Sequence, residues 1–155
     1  RRTNALLHSS IPEGYFVTLA LIEMNTRTGA IRYASCGHPA CIVLSPSGEI
    51  LARLESSGLP LGCFPDCRVQ CEGDLRIPPG GTLMCLTDGL LEARSTAGEF
   101  FEEDRVLDVI RANHHKPAAE VLDKLIEAVR AFCGGEQVQD DVTAMLVRRA
   151  PAMKH

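Results

Sequence analysis

Two hydrophobic rhythms divide this chain. Up to Leu86, apolar runs of strand length alternate with clusters of Gly, Pro, Ser and Asn, whereas between Phe101 and Phe132 apolar residues return at helical intervals. Phe16 to Met24 is apolar and partly β-branched, too continuous for a half-exposed strand. Asn25 to Gly29 supplies a turn, and Ala30 to Ser35 alternates, which predicts an antiparallel hairpin over 16–35. A second hairpin is expected from Cys41–Leu44 and Glu49–Leu54 around Ser45-Pro46-Ser47-Gly48. Ser56 to Pro65 reads as loop. Arg68 to Ile77 alternates weakly, and Pro78-Pro79-Gly80-Gly81 turns tightly into a strand from Thr82 to Leu86.

Beyond that strand, Phe101, Val106, Leu107 and Ile110 mark one amphipathic helix. Val121, Leu122, Leu125, Ile126, Val129 and Phe132 mark another, bounded by Pro117 and Gly134-Gly135. A closing strand spans Val142 to Arg148. Residues 1–9 read as the end of a helix with Leu6 and Leu7 as its apolar positions, stopped by Ile11-Pro12-Glu13-Gly14. The pattern predicts one α+β domain over 1–148, with helices covering a face of antiparallel sheet, and a flexible tail over 149–155.

At 155 residues the chain can bury a substantial core. With 16 basic and 20 acidic residues, a net charge of −4 and no long run of either sign, it lacks the basic footprint of a nucleic-acid binder. No apolar run is long enough to span a bilayer, and Arg1-Arg2 is not followed by a signal-peptide core, so a cytoplasmic, membrane-free protein is expected. Seven cysteines raise the question of disulfides or zinc. Cys63, Cys67 and Cys71 recur every four residues, but they lack a second ligand cluster, and Phe64-Pro65-Asp66 breaks any helix that would stack them. All seven are read as reduced and structural; a redox or metal sensor built on these three is a remote third reading.

Chemistry is carried by acids at strand ends. Asp88 follows the Thr82–Leu86 strand and precedes Gly89, while Asp140 and Asp141 precede the Val142 strand. Two carboxylates facing each other at a cleft suit a hard cation, Mg²⁺ or Mn²⁺, rather than zinc. The plainer alternatives are a helix cap at Asp88 and a solvated acidic pair at Asp140-Asp141. His38, in a Gly-His-Pro turn, is either a hydrogen-bonded loop former or a general acid. Covalent acyl chemistry has no support, because no Gly-x-Ser-x-Gly elbow is present.

The order of motifs resembles a known family. Phe16-Val17-Thr18-Leu19, Thr28-Gly29 with Ile31-Arg32-Tyr33-Ala34, Cys36-Gly37-His38-Pro39, Leu59-Pro60-Leu61-Gly62, Thr87-Asp88-Gly89-Leu90 with Glu92-Ala93, Gly98-Glu99-Phe100-Phe101 and Asp140-Asp141-Val142-Thr143 follow the pattern of SpoIIE-like, PPM-type bacterial protein serine/threonine phosphatases over roughly residues 4–148. The resemblance implies an α-β-β-α sandwich of two antiparallel sheets with flanking helices. It also implies a two-ion Mn²⁺ or Mg²⁺ centre whose metal-bound water, rather than a side chain, attacks a phosphoserine or phosphothreonine. On that resemblance Asp88 and Asp140 are the metal ligands. Gly89, Asp141 and Glu92 support them, and His38 lies near the cleft.

One departure stands out. The family's earlier Asp-x-x-Gly-His-Gly motif, whose aspartate bridges the two metals, does not occur in these residues. The chain therefore reads as the C-terminal portion of the domain or a naturally reduced form, with one weak metal site and little or no activity alone. The expected partners are a phosphorylated regulator such as an anti-sigma-factor antagonist and, in the parent protein, an upstream sensor domain. A missing hairpin also leaves a sheet edge open to a second copy. A non-catalytic protein-binding module that keeps the phosphatase fold is the alternative.

Overall fold

Each hairpin forms where an apolar run meets its turn residues. The computed structural model describes residues 2–135 and 141–151. In chain order the elements are α1 (Arg2–Ser10), β1 (Leu19–Met24), β2 (Ala30–Cys36), β3 (Cys41–Leu44), β4 (Ile50–Leu54), β5 (Glu72–Arg76), β6 (Thr82–Leu86), α2 (Asp88–Leu91), α3 (Glu102–Asn113), α4 (Ala118–Phe132) and β7 (Ala144–Arg148). They fall into two compact units, residues 1–41 with 53–76 and residues 42–52 with 77–155. None of the described helices is long and apolar enough to cross a membrane.

In the first unit β1, β2 and β5 form a sheet in that order. β1 and β2 pair antiparallel from Leu19↔Cys36 to Met24↔Ile31. The Asn25 side chain sets their turn by accepting hydrogen bonds from the Arg27 and Thr28 amides. β1 corrects the sequence reading. Its residues alternate between exposed and half-buried, and Leu21 (64% exposed) and Leu19 face outward. A continuous apolar run is ambiguous here, because its alternate residues can be apolar without being buried.

α1 differs too. Leu6 is exposed and Leu7 only half-buried, while the buried residue is Asn4, at 2% exposure. Its side-chain amide donates to the carbonyls of Phe64 (2.9 Å) and Pro65 (3.1 Å), and its oxygen accepts from the Gly62 amide at 3.0 Å. His8 Nδ1 donates to the Gly62 carbonyl at 2.8 Å, so α1 is held to the 62–65 loop by polar contacts as well as by Leu7.

The second unit holds the larger core. Its sheet runs β4-β3-β6-β7, with β3 and β6 antiparallel from Ile42↔Met84 to Leu44↔Thr82. β6 and β7 pair from Thr82↔Arg148 to Leu86↔Ala144. Leu44, Met84, Leu90, Val106, Ile110, Val121 and Leu125 pack together, each burial contributing about 1.5–3 kcal/mol before entropy is set against it. α4 ends as Gly134-Gly135 predicts. Gly134 adopts φ +68°, its amide donates to Ala131, and the Gly135 amide reaches back to the Arg130 carbonyl, closing a Schellman motif. Backbone pairing passes β7, since the Arg149 amide donates to Gly81 and its carbonyl accepts from Gly80. Residues 152–155 of the expected tail lie outside the described residues.

Replacing Asn4 by Ala leaves one amide and two carbonyls of the 62–65 loop without their partner. Asn4→Ala is therefore expected to lower unfolding free energy by about 2 kcal/mol in urea titrations monitored by circular dichroism, whereas Leu6→Ala should change it by less than about 0.5 kcal/mol.

Candidate metal centre

The site begins where β6 stops. Leu86↔Ala144 is the last β6–β7 pair, and Thr87 carries the ladder one residue further by donating its amide to the Thr143 carbonyl at 3.0 Å. The Thr87 hydroxyl accepts from the Thr143 amide at 2.9 Å and shares its proton between the carbonyls of Asp141 (3.3 Å) and Thr143 (3.4 Å). One threonine thus ties the residue before Asp88 to the residues after Asp140. Val142 packs on the main core and anchors the second strand of this junction.

Asp88 opens α2 but is not its cap. Thr87 occupies the cap position with extended backbone, φ −92° and ψ 160°, and makes no side-chain cap bond, because its hydroxyl is committed to Asp141 and Thr143. The α2 turn is set by backbone bonds from Leu90 N–H to the Thr87 carbonyl (3.1 Å) and from Glu92 N–H to the Asp88 carbonyl (2.8 Å). Leu90 is fully buried and Gly89 is buried beside it, so the turn is pinned from below while Asp88 stays exposed. Glu92, at the end of the same turn, is exposed as well.

Asp141 is exposed, and its side of the junction is positioned through its carbonyl. Asp140 lies outside the described residues. Among the described residues no group of three or more His, Cys, Asp or Glu side chains is assembled for a metal. The acids next to the Thr87 junction, Asp88 and Asp141, offer hard oxygens, and exposed carboxylates suit a partly hydrated Mg²⁺ or Mn²⁺ better than a fully protein-caged ion. The donor chemistry fits such a cation, with few protein ligands.

His38 belongs to the first unit and is engaged within its own turn, where Nδ1 donates to the Pro39 carbonyl at 2.8 Å. Gly37 precedes it at φ +65°, and a Cβ there would lie 2.3 Å from Pro60 Cγ, so the turn accepts only glycine at this position. Thr87 was visible in the sequence as part of Thr-Asp-Gly, yet its role was not. Only the fold shows that its hydroxyl spans two segments distant in sequence.

A family model described as Stage II sporulation protein E (SpoIIE) matches residues 1–150. The chain belongs to the SpoIIE family. Protein IcfG of Synechocystis sp. is 31% identical over 134 residues, 86% of this chain and 21% of IcfG. The SiaA-PP2C domain of Pseudomonas aeruginosa superposes with a TM-score of 0.69 at 21% identity, covering 84% of this chain and 51% of that one. The PP2C phosphatase domain of SpoIIE from Bacillus subtilis, solved with a fragment of its regulatory domain, gives 0.66 at 21% identity, covering 95% and 42%. These structures establish the fold of the SpoIIE family chain as α+β, with two antiparallel sheets and helices as in PP2C-type phosphatase domains. The chain spans about a fifth of IcfG and about half or less of the two solved chains.

Thr87→Val keeps shape and removes the bridging hydroxyl. It is expected to cost about 0.5–1.5 kcal/mol of unfolding free energy and to weaken Mn²⁺ binding about tenfold by isothermal titration, while Thr87→Ser stays close to wild type on both readouts.

Proposed function

We propose that this SpoIIE family chain carries the C-terminal part of a metal-dependent phosphatase site for phosphoserine or phosphothreonine on a regulatory protein. The observation that carries the reading is the Thr87 junction, which ties the residue before Asp88 to Asp141 and Thr143. When bound, Mn²⁺ or Mg²⁺ supplies an activated water and neutralises charge on the phosphoryl oxygens. The chain's own residues hold and orient. Asp88 and Asp140 are the proposed ligands, Asp141 and Glu92 support them, and the buried Leu90 keeps the α2 turn from drifting.

The substrate proposed is a phosphorylated anti-sigma-factor antagonist or a similar small regulator, acted on in a parent protein with an upstream sensor domain. Self-association through a sheet edge would use β1, which ends the β1-β2-β5 sheet. A second reading is a protein-binding platform that keeps the phosphatase fold without catalysis.

Hydrolysis of p-nitrophenyl phosphate separates the two. The phosphatase reading expects slow turnover that requires Mn²⁺ and falls at least about tenfold in Asp88→Asn, with the folded content unchanged by circular dichroism. No turnover, together with no Mn²⁺-induced rise in melting temperature, supports the platform instead.

A further inference from the structure

The regular spacing of Cys63, Cys67 and Cys71 does not bring the three together. Cys63 is half-buried, and Cys71 is exposed with the Arg32 guanidinium 3.8 Å from its sulfur. Cys67 instead turns inward into the same small buried cluster as Cys36, a residue far away in sequence and outside the four-residue pattern. Cys36 (3% exposed), Cys67 (7%) and Leu61 form a small apolar cluster in the first unit, with Leu7 packed on it.

The backbone explains the shared cluster. Cys36, the last residue of β2, bridges Gly58 in parallel, and the Gly37 amide donates to the Gly58 carbonyl at 3.0 Å. On its other side Gly58 is pressed against the segment after Cys67, where a Cβ would lie 3.2 Å from the Arg68 carbonyl and 3.4 Å from Val69 Cγ2. Ser57 reinforces the contact, its hydroxyl lying 3.2 Å from the Ser35 carbonyl and 2.9 Å from that of Gln70. Residues 57–58 are thus held between the end of β2 and the 68–70 segment, with one cysteine next to each flank. The Cys67 thiol donates to the Leu59 carbonyl at 3.4 Å, and burial first, then the neighbouring Cys67, pushes the Cys36 thiol up from its ordinary value. Neither sulfur is in a disulfide in this structure.

We propose that Cys36 and Cys67 are an oxidisable thiol pair that closes to a disulfide under peroxide. Cys67 lies on a segment without strand pairing, so local opening exposes it more readily than Cys36, whose backbone is in β2. Its thiolate attacks hydrogen peroxide, forming an S–O bond, breaking O–O and releasing hydroxide. The Cys36 sulfur then attacks the sulfenic acid, forming S–S, breaking S–O and giving up its proton as water leaves. In sum, two thiols and one peroxide give one disulfide and two waters. The product would fasten the 59–68 loop to the end of β2, directly before the Gly37–His38 turn, and make opening of that loop rarer.

The test is a peptide map of the intact chain after a stoichiometric dose of hydrogen peroxide under native conditions, with remaining thiols alkylated. The expected result is a dominant Cys36–Cys67 disulfide peptide, the other five cysteines alkylated, full reversal by dithiothreitol, and loss of the preference when peroxide is added in urea. A map in which Cys36 and Cys67 both remain alkylated, or in which pairs among Cys63, Cys67 and Cys71 dominate, overturns the proposal. Because wild-type chain decides the outcome, Cys67→Ser serves only as confirmation, with Cys36 then expected to stay free of any disulfide.

Discussion

The hydrogen bonds of Thr87 are the interaction on which the candidate site depends. β6 is buried along most of its length and pairs with β3 as far as Met84 and with β7 as far as Leu86, so its last residue is held by β7 and by its own burial. Thr87 inherits that rigidity and passes it sideways, through its amide and hydroxyl, to Asp141 and Thr143. Without this junction, Asp88 would sit on a four-residue helix held by the packing of Leu90 and Leu91, and Asp141 would be tied to the second unit mainly through Val142 and the strand that follows. A carboxylate useful to a cation has to be exposed and still stationary. Here exposure comes from the strand ends and stillness from the core beneath them.

Much of the architecture was readable because each turn and cap carries its own chemistry. Asn25 to Gly29 turns as its side chains require, Pro117 precedes α4, and Gly134 ends it in the left-handed conformation that only glycine adopts cheaply. β1 was misjudged for a different reason. A run such as Leu19-Ala20-Leu21-Ile22 is apolar on both faces, and nothing local says that Leu21 faces outward. α1 forms where expected, but the sequence points to Leu6 and Leu7 as its apolar positions, whereas its buried contact is an asparagine with three backbone partners. Long-range hydrogen bonds leave no periodicity to read.

The acids followed the same division. Asp88 stood out because Thr-Asp-Gly at the end of an apolar strand is a local pattern, and the structure gives the cap position to Thr87 with Asp88 as the first residue of α2. What the pattern could not convey is that Thr87 is spoken for by Asp141 and Thr143, more than fifty residues away. The cysteines make the parallel case. Their spacing drew notice to Cys63, Cys67 and Cys71, while the pair that shares a buried cluster is Cys36 with Cys67, joined through Gly58.

The central claim is that the Thr87 junction positions acids for one shared divalent ion. Paramagnetic broadening of backbone amide signals in the isotopically labelled chain, titrated with substoichiometric Mn²⁺, tests it directly. The account predicts selective loss of the Thr87, Gly89, Asp141, Val142 and Thr143 signals, with those of α1 unaffected and with the effect abolished by Asp88→Asn. Broadening centred elsewhere, or uniform weak broadening that survives Asp88→Asn, would contradict it.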